Sequence, residues 1–219
     1  FKKTEPLSVT FLGLINNPNL TQIHYLPSLG WNYYDKTMLG ITLYDAILPP
    51  DRFDYFLTPL YSTEKSKFSG TGEVALNFYP GESLSKIRLE ASGKRFAYSG
   101  DHTRSFEQLR TRIEMTFKKP EARSRIKNTL SYAATYASDL NDILLKNKNA
   151  GHQLYHKLSL THDHSQKSIN PYSIGANIEY GGEFLKAWMD ASFTYSYYMD
   201  EGLNIRVFGG TFLYQEEDL

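Results

Sequence analysis

The sequence contains no cysteine, which excludes disulfide bridges and thiolate metal sites. It has no net charge, with 24 Lys and Arg against 24 Asp and Glu, and no basic tract. No electrostatic field therefore draws the chain towards nucleic acid. No apolar run approaches the ~18 residues that a transmembrane helix requires. The mean hydropathy of -0.46 looks water-soluble, but strands with one polar and one apolar face hide from such averages. The chain opens on Phe1 with neither Met nor a signal peptide, which is expected of a processed chain or of a fragment of a longer one.

What the sequence has in quantity is alternation. Tyr172, Ile174, Ala176, Ile178 and Tyr180 are separated by Ser173, Gly175, Asn177 and Glu179. A strand sends successive side chains to opposite faces, so this segment makes a strand with one greasy and one wet side. The pattern recurs along the chain, with 17 Tyr and 13 Phe gathered at many strand ends. The expected fold is all-β: an antiparallel, up-and-down barrel of the outer-membrane type with about 10–12 strands, closed alone or as part of a larger barrel. Residues 1–219 read as a single domain, with 1–22 as an N-terminal lead-in.

The predicted strands follow one another at short spacing. The lead-in holds a short apolar run, Val9–Ile15, and the strands cover Ile23–Tyr34, Met38–Leu48, Phe53–Tyr61, Lys67–Phe78, Ser85–Tyr98, Leu109–Phe117, Ile126–Tyr136, His152–His162, Tyr172–Tyr180, Phe184–Tyr198 and Leu203–Tyr214. Asp35-Lys36, Pro49-Pro50, Pro80-Gly81, Gly181-Gly182 and Asp200-Glu201-Gly202 read as turns. Pro59 predicts a sheet edge or a bulge, because proline has no amide proton for the ladder. Ser131–Asn141 is the best helical rival, but Thr, Tyr and Ser weigh against a helix there.

The inferred inner face carries Glu73, Lys86, Arg88, Glu90, Arg110, Arg112, Glu114, Lys127, Glu179, Asp190 and Arg206. In a small barrel such charges are expected to pair across the lumen. The same residues read either as a polar pore, or as a packed, salt-bridged interior or a wet sheet surface. The opposite face of Phe184–Tyr198 presents Leu185, Ala187, Met189, Ala191, Phe193, Tyr195 and Tyr197 without one charge. That length exceeds a mean strand of ~5–6 residues and suits the ~9–11 of a bilayer-spanning strand.

Signs of chemistry are sparse. His162-Asp163-His164 is the only His/Asp cluster; with His156 or His152 it has the donor types for a metal, and it reads more simply as a polar loop beside a strand end. No His precedes a Glu, so the zinc-peptidase motif is absent. No G-x-S-x-G elbow occurs. Ser99, Asp101 and His102 share one loop, but triads are spatial, so their proximity in sequence is no argument for one. Gly70-x-Gly72 reads as a strand entry. The expectation is no catalytic residue, no metal site and no cofactor.

One stretch carries a family resemblance. Within Ile23–Pro80, the ordered pieces Asn32-Tyr33-Tyr34-Asp35, Met38-Leu39-Gly40, Leu43-Tyr44, Leu48-Pro49, Pro59-Leu60-Tyr61-Ser62 and the Gly70/Gly72 pair resemble the barrel region that follows the peptidase domain in aminopeptidase-N-like zinc metallopeptidases of Bacteroidota-type bacteria. Beyond Pro80 only the general barrel pattern continues. The resemblance implies a bacterial outer-membrane location and a domain that anchors or accompanies a peptidase. That family's zinc ligands and general base lie in the peptidase domain, which this sequence does not include, so no catalytic residue carries over.

Three readings compete. The first is a non-enzymatic outer-membrane barrel domain, porin-like in architecture, serving as anchor, conduit or assembly partner. Its partners would be outer-membrane lipid and a linked or associated peptidase domain, not nucleic acid. The second is a soluble sandwich that binds carbohydrate through exposed aromatics such as Trp31 or Trp188. The third is an outer-membrane hydrolase with rim residues such as His162 and His164. The resemblance and the long uncharged faces favour the first.

Overall fold

The computed structural model describes residues 6–13, 15, 17, 20–45, 52–64, 66–97, 105–121, 123–138, 152–198 and 201–215. Strands are the only extended regular structure among them: β1 Leu7–Phe11, β2 Thr21–Asn32, β3 Lys36–Tyr44, β4 Phe53–Ser62, β5 Phe68–Phe78, β6 Leu84–Ala97, β7 Ser105–Phe117, β8 Lys127–Ser138, β9 His152–Asp163, β10 Tyr172–Gly181, β11 Phe184–Tyr198 and β12 Glu201–Gln215. They hydrogen-bond in chain order from β1 to β12 as one sheet. No pairing joins β12 back to β1 among the described residues.

The helical rival at Ser131–Asn141 is strand as far as Ser138; alternation and the Thr and Tyr side chains prevail there. The Pro49-Pro50 turn and the loop of Ser99, Asp101 and His102 lie outside the described residues. Two expectations need correction. The lead-in forms β1, and β1 pairs with β2 in parallel, Leu7 opposite Thr21 and Phe11 opposite Tyr25. The sheet is therefore mostly antiparallel, not uniformly up-and-down, because a period of two residues sets the face of a strand but not its direction. The second concerns Pro59. It stands inside the sheet, on a strand paired with both β3 and β5. The β3–β4 register passes from Gly40–Leu60 to Leu43–Leu57 across it.

Two glycines accommodate that proline. A Cβ on Gly40 would lie 2.1 Å from the Pro59 carbonyl oxygen. A Cβ on Gly70, which has φ of +142°, would lie 2.2 Å from the Thr58 oxygen. Bare backbone thus lets three strands close around a residue that cannot donate to the ladder. Gly70→Ala is expected to cost about 1–3 kcal/mol, read as a lower urea midpoint with unchanged m-value.

The chain divides into two compact units. The first comprises Phe1–Asn77, Glu90–Arg110 and Tyr136–His152. Register gives β2–β5 two distinct faces. One face buries His24, Met38, Thr42, Leu60, Ser62, Ser69, Ala75 and Asn77; the other exposes Leu29, Trp31, Leu39, Phe53, Leu57, Tyr61, Phe68 and Leu76. Apart from Met38, Leu60 and Ala75 these covered residues are polar, while large apolar side chains stand exposed on the other face.

The covered side is held by hydrogen bonds. Ser28, Thr42 and Thr58 link their hydroxyls across β2, β3 and β4 at 2.6 and 2.8 Å. Asp35, 1% exposed, is the hub of the first unit. Its Oδ2 accepts from Asn32 Nδ2 at 2.9 Å, Ser69 Oγ at 3.3 Å and the Ala97 amide at 3.0 Å. Its carbonyl accepts from Ser62 Oγ at 2.7 Å.

The second unit comprises Phe78–Leu89, Thr111–Thr135 and Gln153–Leu219. Continuous antiparallel registers join β9 to β10, β10 to β11 and β11 to β12. β12 is exposed at every position.

Candidate functional site

In the second unit the chemistry is divided between the two sides of the sheet. Register places Lys157 opposite Glu179 and Glu179 opposite Lys186. Lys186 Nζ bonds Glu179 Oε1 at 2.9 Å, and both lysines lie over the Trp188 ring, at 4.8 and 5.3 Å from its centre. Asp190 takes two hydrogen bonds from Arg206, at 2.9 and 2.6 Å. On β7 and β8, Glu114 pairs with Arg112 and, at 3.8 Å, with Lys127. These pairs join neighbouring positions along the sheet. The expectation of pairing across a lumen is corrected for them, because strands ~4.8 Å apart bring facing charges directly together.

The other side of β9–β12 carries no charge. Its rows include Leu158, Leu160, Ile174, Ala176, Ile178, Ala187, Met189, Ala191, Ile205 and Val207, placed by the same registers. Met189 is 58% exposed and Val207 63%. Aromatic and imidazole groups mark both limits of this band. At one limit Tyr180 faces His156, with ring centres 6.3 Å apart, and the Tyr132 hydroxyl meets His156 Nδ1 at 2.7 Å. At the other limit His162 meets Asn128 at 2.6 Å and Tyr172 at 3.3 Å. Tyr195 and Tyr197 stand at that second limit on β11.

The His162-Asp163-His164 cluster does not converge. His162 lies on the apolar side, while Asp163 accepts from the Ser165 amide at 2.7 Å. His164 follows the strand end and meets the Tyr172 ring edge-on at 5.3 Å. Among the described residues no group of three or more His, Asp or Glu is placed to hold a metal ion. The two aromatics singled out for carbohydrate binding differ: Trp31 is exposed on the apolar side, whereas Trp188 lies beneath two lysines on the charged side.

The first unit's apolar side has a cleft of about 920 Å³ beside the proline–glycine crossing. It is floored by Gly70, Gly72, Ala91 and Gly93 and walled by Leu57 and Leu109. Sequence reasoning missed it, because its floor comes from two strands and shows only as scattered small residues. It missed the Asp35 hub too; the local signal was Asn32-x-x-Asp35, whose Asn32 Oδ1 accepts the Tyr34 and Asp35 amides at 2.8 and 2.5 Å.

Comparison with known proteins yields no match: no family model, no curated protein and no solved structure is similar to the chain.

Proposed function

We propose that this chain is a non-catalytic, outer-membrane β-barrel domain that anchors a larger, peptidase-like protein in the bacterial outer membrane. The observation that carries the reading is the uncharged band on β9–β12, bounded at both limits by Tyr and His. Leu185 and Tyr195 stand ten residues apart on β11, about 33 Å at ~3.3 Å per residue. At the ~40° tilt of membrane strands this projects to about 25 Å, the height of the apolar band of such barrels. Tyr at the limits suits the interface, where an amphipathic ring has one end in hydrocarbon and the other in water. The charged row under Trp188 then faces inward, away from lipid.

The non-catalytic part of the reading rests on His156 and His162, both of which are engaged in strand-to-strand hydrogen bonds. The peptidase association rests on the resemblance within Ile23–Pro80. The test is expression of Phe1–Leu219 with and without detergent, and gel mobility before and after boiling. A detergent-dependent species whose mobility shifts on heating is expected. A soluble species without a shift would overturn the reading and favour a soluble binding module.

A further inference from the structure

The cleft of the first unit is lined by both apolar and charged residues. A trough of small residues alone says nothing about a ligand, but this one ends in charge. Arg95 Nε and Glu107 Oε1 pair at 3.2 Å, and both residues line the cleft. The positions of β2–β5 that share its apolar side carry no charge at all. Both side chains are about half exposed, at 53% and 49%, so their remaining donor and acceptor atoms are open to a ligand. Arg95 lies two residues before the end of β6, and Glu107 two residues after the start of β7. The pair therefore stands at strand-end depth, in a cleft that Phe68 also lines.

The geometry points to a phospholipid with a zwitterionic, amine-bearing headgroup as the occupant. Adjacent positive and negative groups on the protein are complementary to adjacent phosphate and ammonium on the lipid. Arg95 takes the phosphate, through the fork that guanidinium offers to oxyanions, and Glu107 accepts from the ammonium. One acyl chain lies along Gly93, Ala91, Gly72 and Gly70, where missing side chains leave room for it. The volume falls within the ~300–1,000 Å³ of ligand pockets. A simple anion would match the cations Lys94 and Arg95 that line the cleft but leave Glu107, the ion-pair partner of Arg95, opposed to it. This assignment rests on the membrane reading above.

The experiment is reconstitution of the full chain into vesicles of equal parts phosphatidylethanolamine, phosphatidylcholine and phosphatidylglycerol, then mild detergent extraction and native mass spectrometry of the retained lipid. Phosphatidylethanolamine is expected to exceed each competitor by about five-fold, since the choline headgroup cannot donate hydrogen bonds and the glycerol headgroup has no cation. Gly93→Leu fills the trough. Its Cβ would meet Gln108 O at 3.8 Å and Leu109 Cδ1 at 3.9 Å, ordinary contacts, so the strand tolerates it; retained lipid is expected to fall about five-fold or more. Arg95→Gln with Glu107→Gln, changes at an exposed pair with little bearing on folding, is expected to erase the headgroup preference and leave the acyl chain bound. Retained lipid that mirrors the vesicle mixture, a preference for phosphatidylglycerol, or no effect of Gly93→Leu overturns the assignment. Failure of the chain to enter vesicles overturns the membrane reading itself, a result distinct from the other three.

Discussion

Replacing Met189 by Arg is expected to destabilise the chain in lipid vesicles by about 2–4 kcal/mol, the cost of a cation near the middle of the lipid face of a membrane barrel. Met189 stands between Ala176 and Gly209 in register, with its side chain on the uncharged side. If that side met water, the same change would fall within about 0.5 kcal/mol, as surface substitutions usually do. Urea unfolding of the vesicle-bound protein separates the two cases. Met189→Leu is the control, expected to stay below ~1.5 kcal/mol because volume and polarity are conserved. A small effect of Met189→Arg alongside an intact fold would remove the main support for a lipid-facing surface.

The second large effect is expected at Asp35→Ala. Removing the carboxylate leaves Asn32 Nδ2, Ser69 Oγ and the Ala97 amide without the acceptor they share. A buried donor left unsatisfied costs about 1–3 kcal/mol; the Ser69 contact is buried and the other two part-buried, so a total of about 3 kcal/mol is expected. The loss should be local first: amide exchange at Ala97 should speed up more than exchange at Thr42, which sits in the separate hydroxyl chain. Asp35→Asn keeps one oxygen and is expected to fall between wild type and Ala. A cost below ~1 kcal/mol for Asp35→Ala would mean that water reaches those donors.

How much of this was open to a reader of the sequence depends on whether the signal was local. The faces of β10 and β11 follow from alternation alone, because Ile174 to Tyr180 and Leu185 to Tyr197 keep a period of two over long stretches. Strand direction leaves no such trace, so the parallel pairing of β1 was invisible. Pro59 was read by its general tendency to sit at edges. Its actual tolerance comes from Gly40 and Gly70 on the two flanking strands. Glu179, Asp190 and Arg206 do share one face of β10–β12, but pairing was expected across a lumen, whereas Glu179 and Lys186 become neighbours through the β10–β11 register. The cleft and the Asp35 hub depend on strands far apart in sequence, and no periodicity reports that.

The separation of charge from hydrocarbon along β10 and β11 also bears on folding fidelity. Slipping β10 by one residue turns every side chain to the opposite side. Glu179 and Asn177 would then enter the apolar band, while Ile178 and Tyr180 would be forced among Lys157, Lys186 and Asp190. In a bilayer the misplaced Glu179 is destabilising, though by less than the about 2–4 kcal/mol of a Lys or Arg at the midplane, and the Lys186–Glu179 contact is lost as well. On the membrane reading proposed above, the charged row thus disfavours slipped registers, and correct pairing is favoured by residues that face away from lipid.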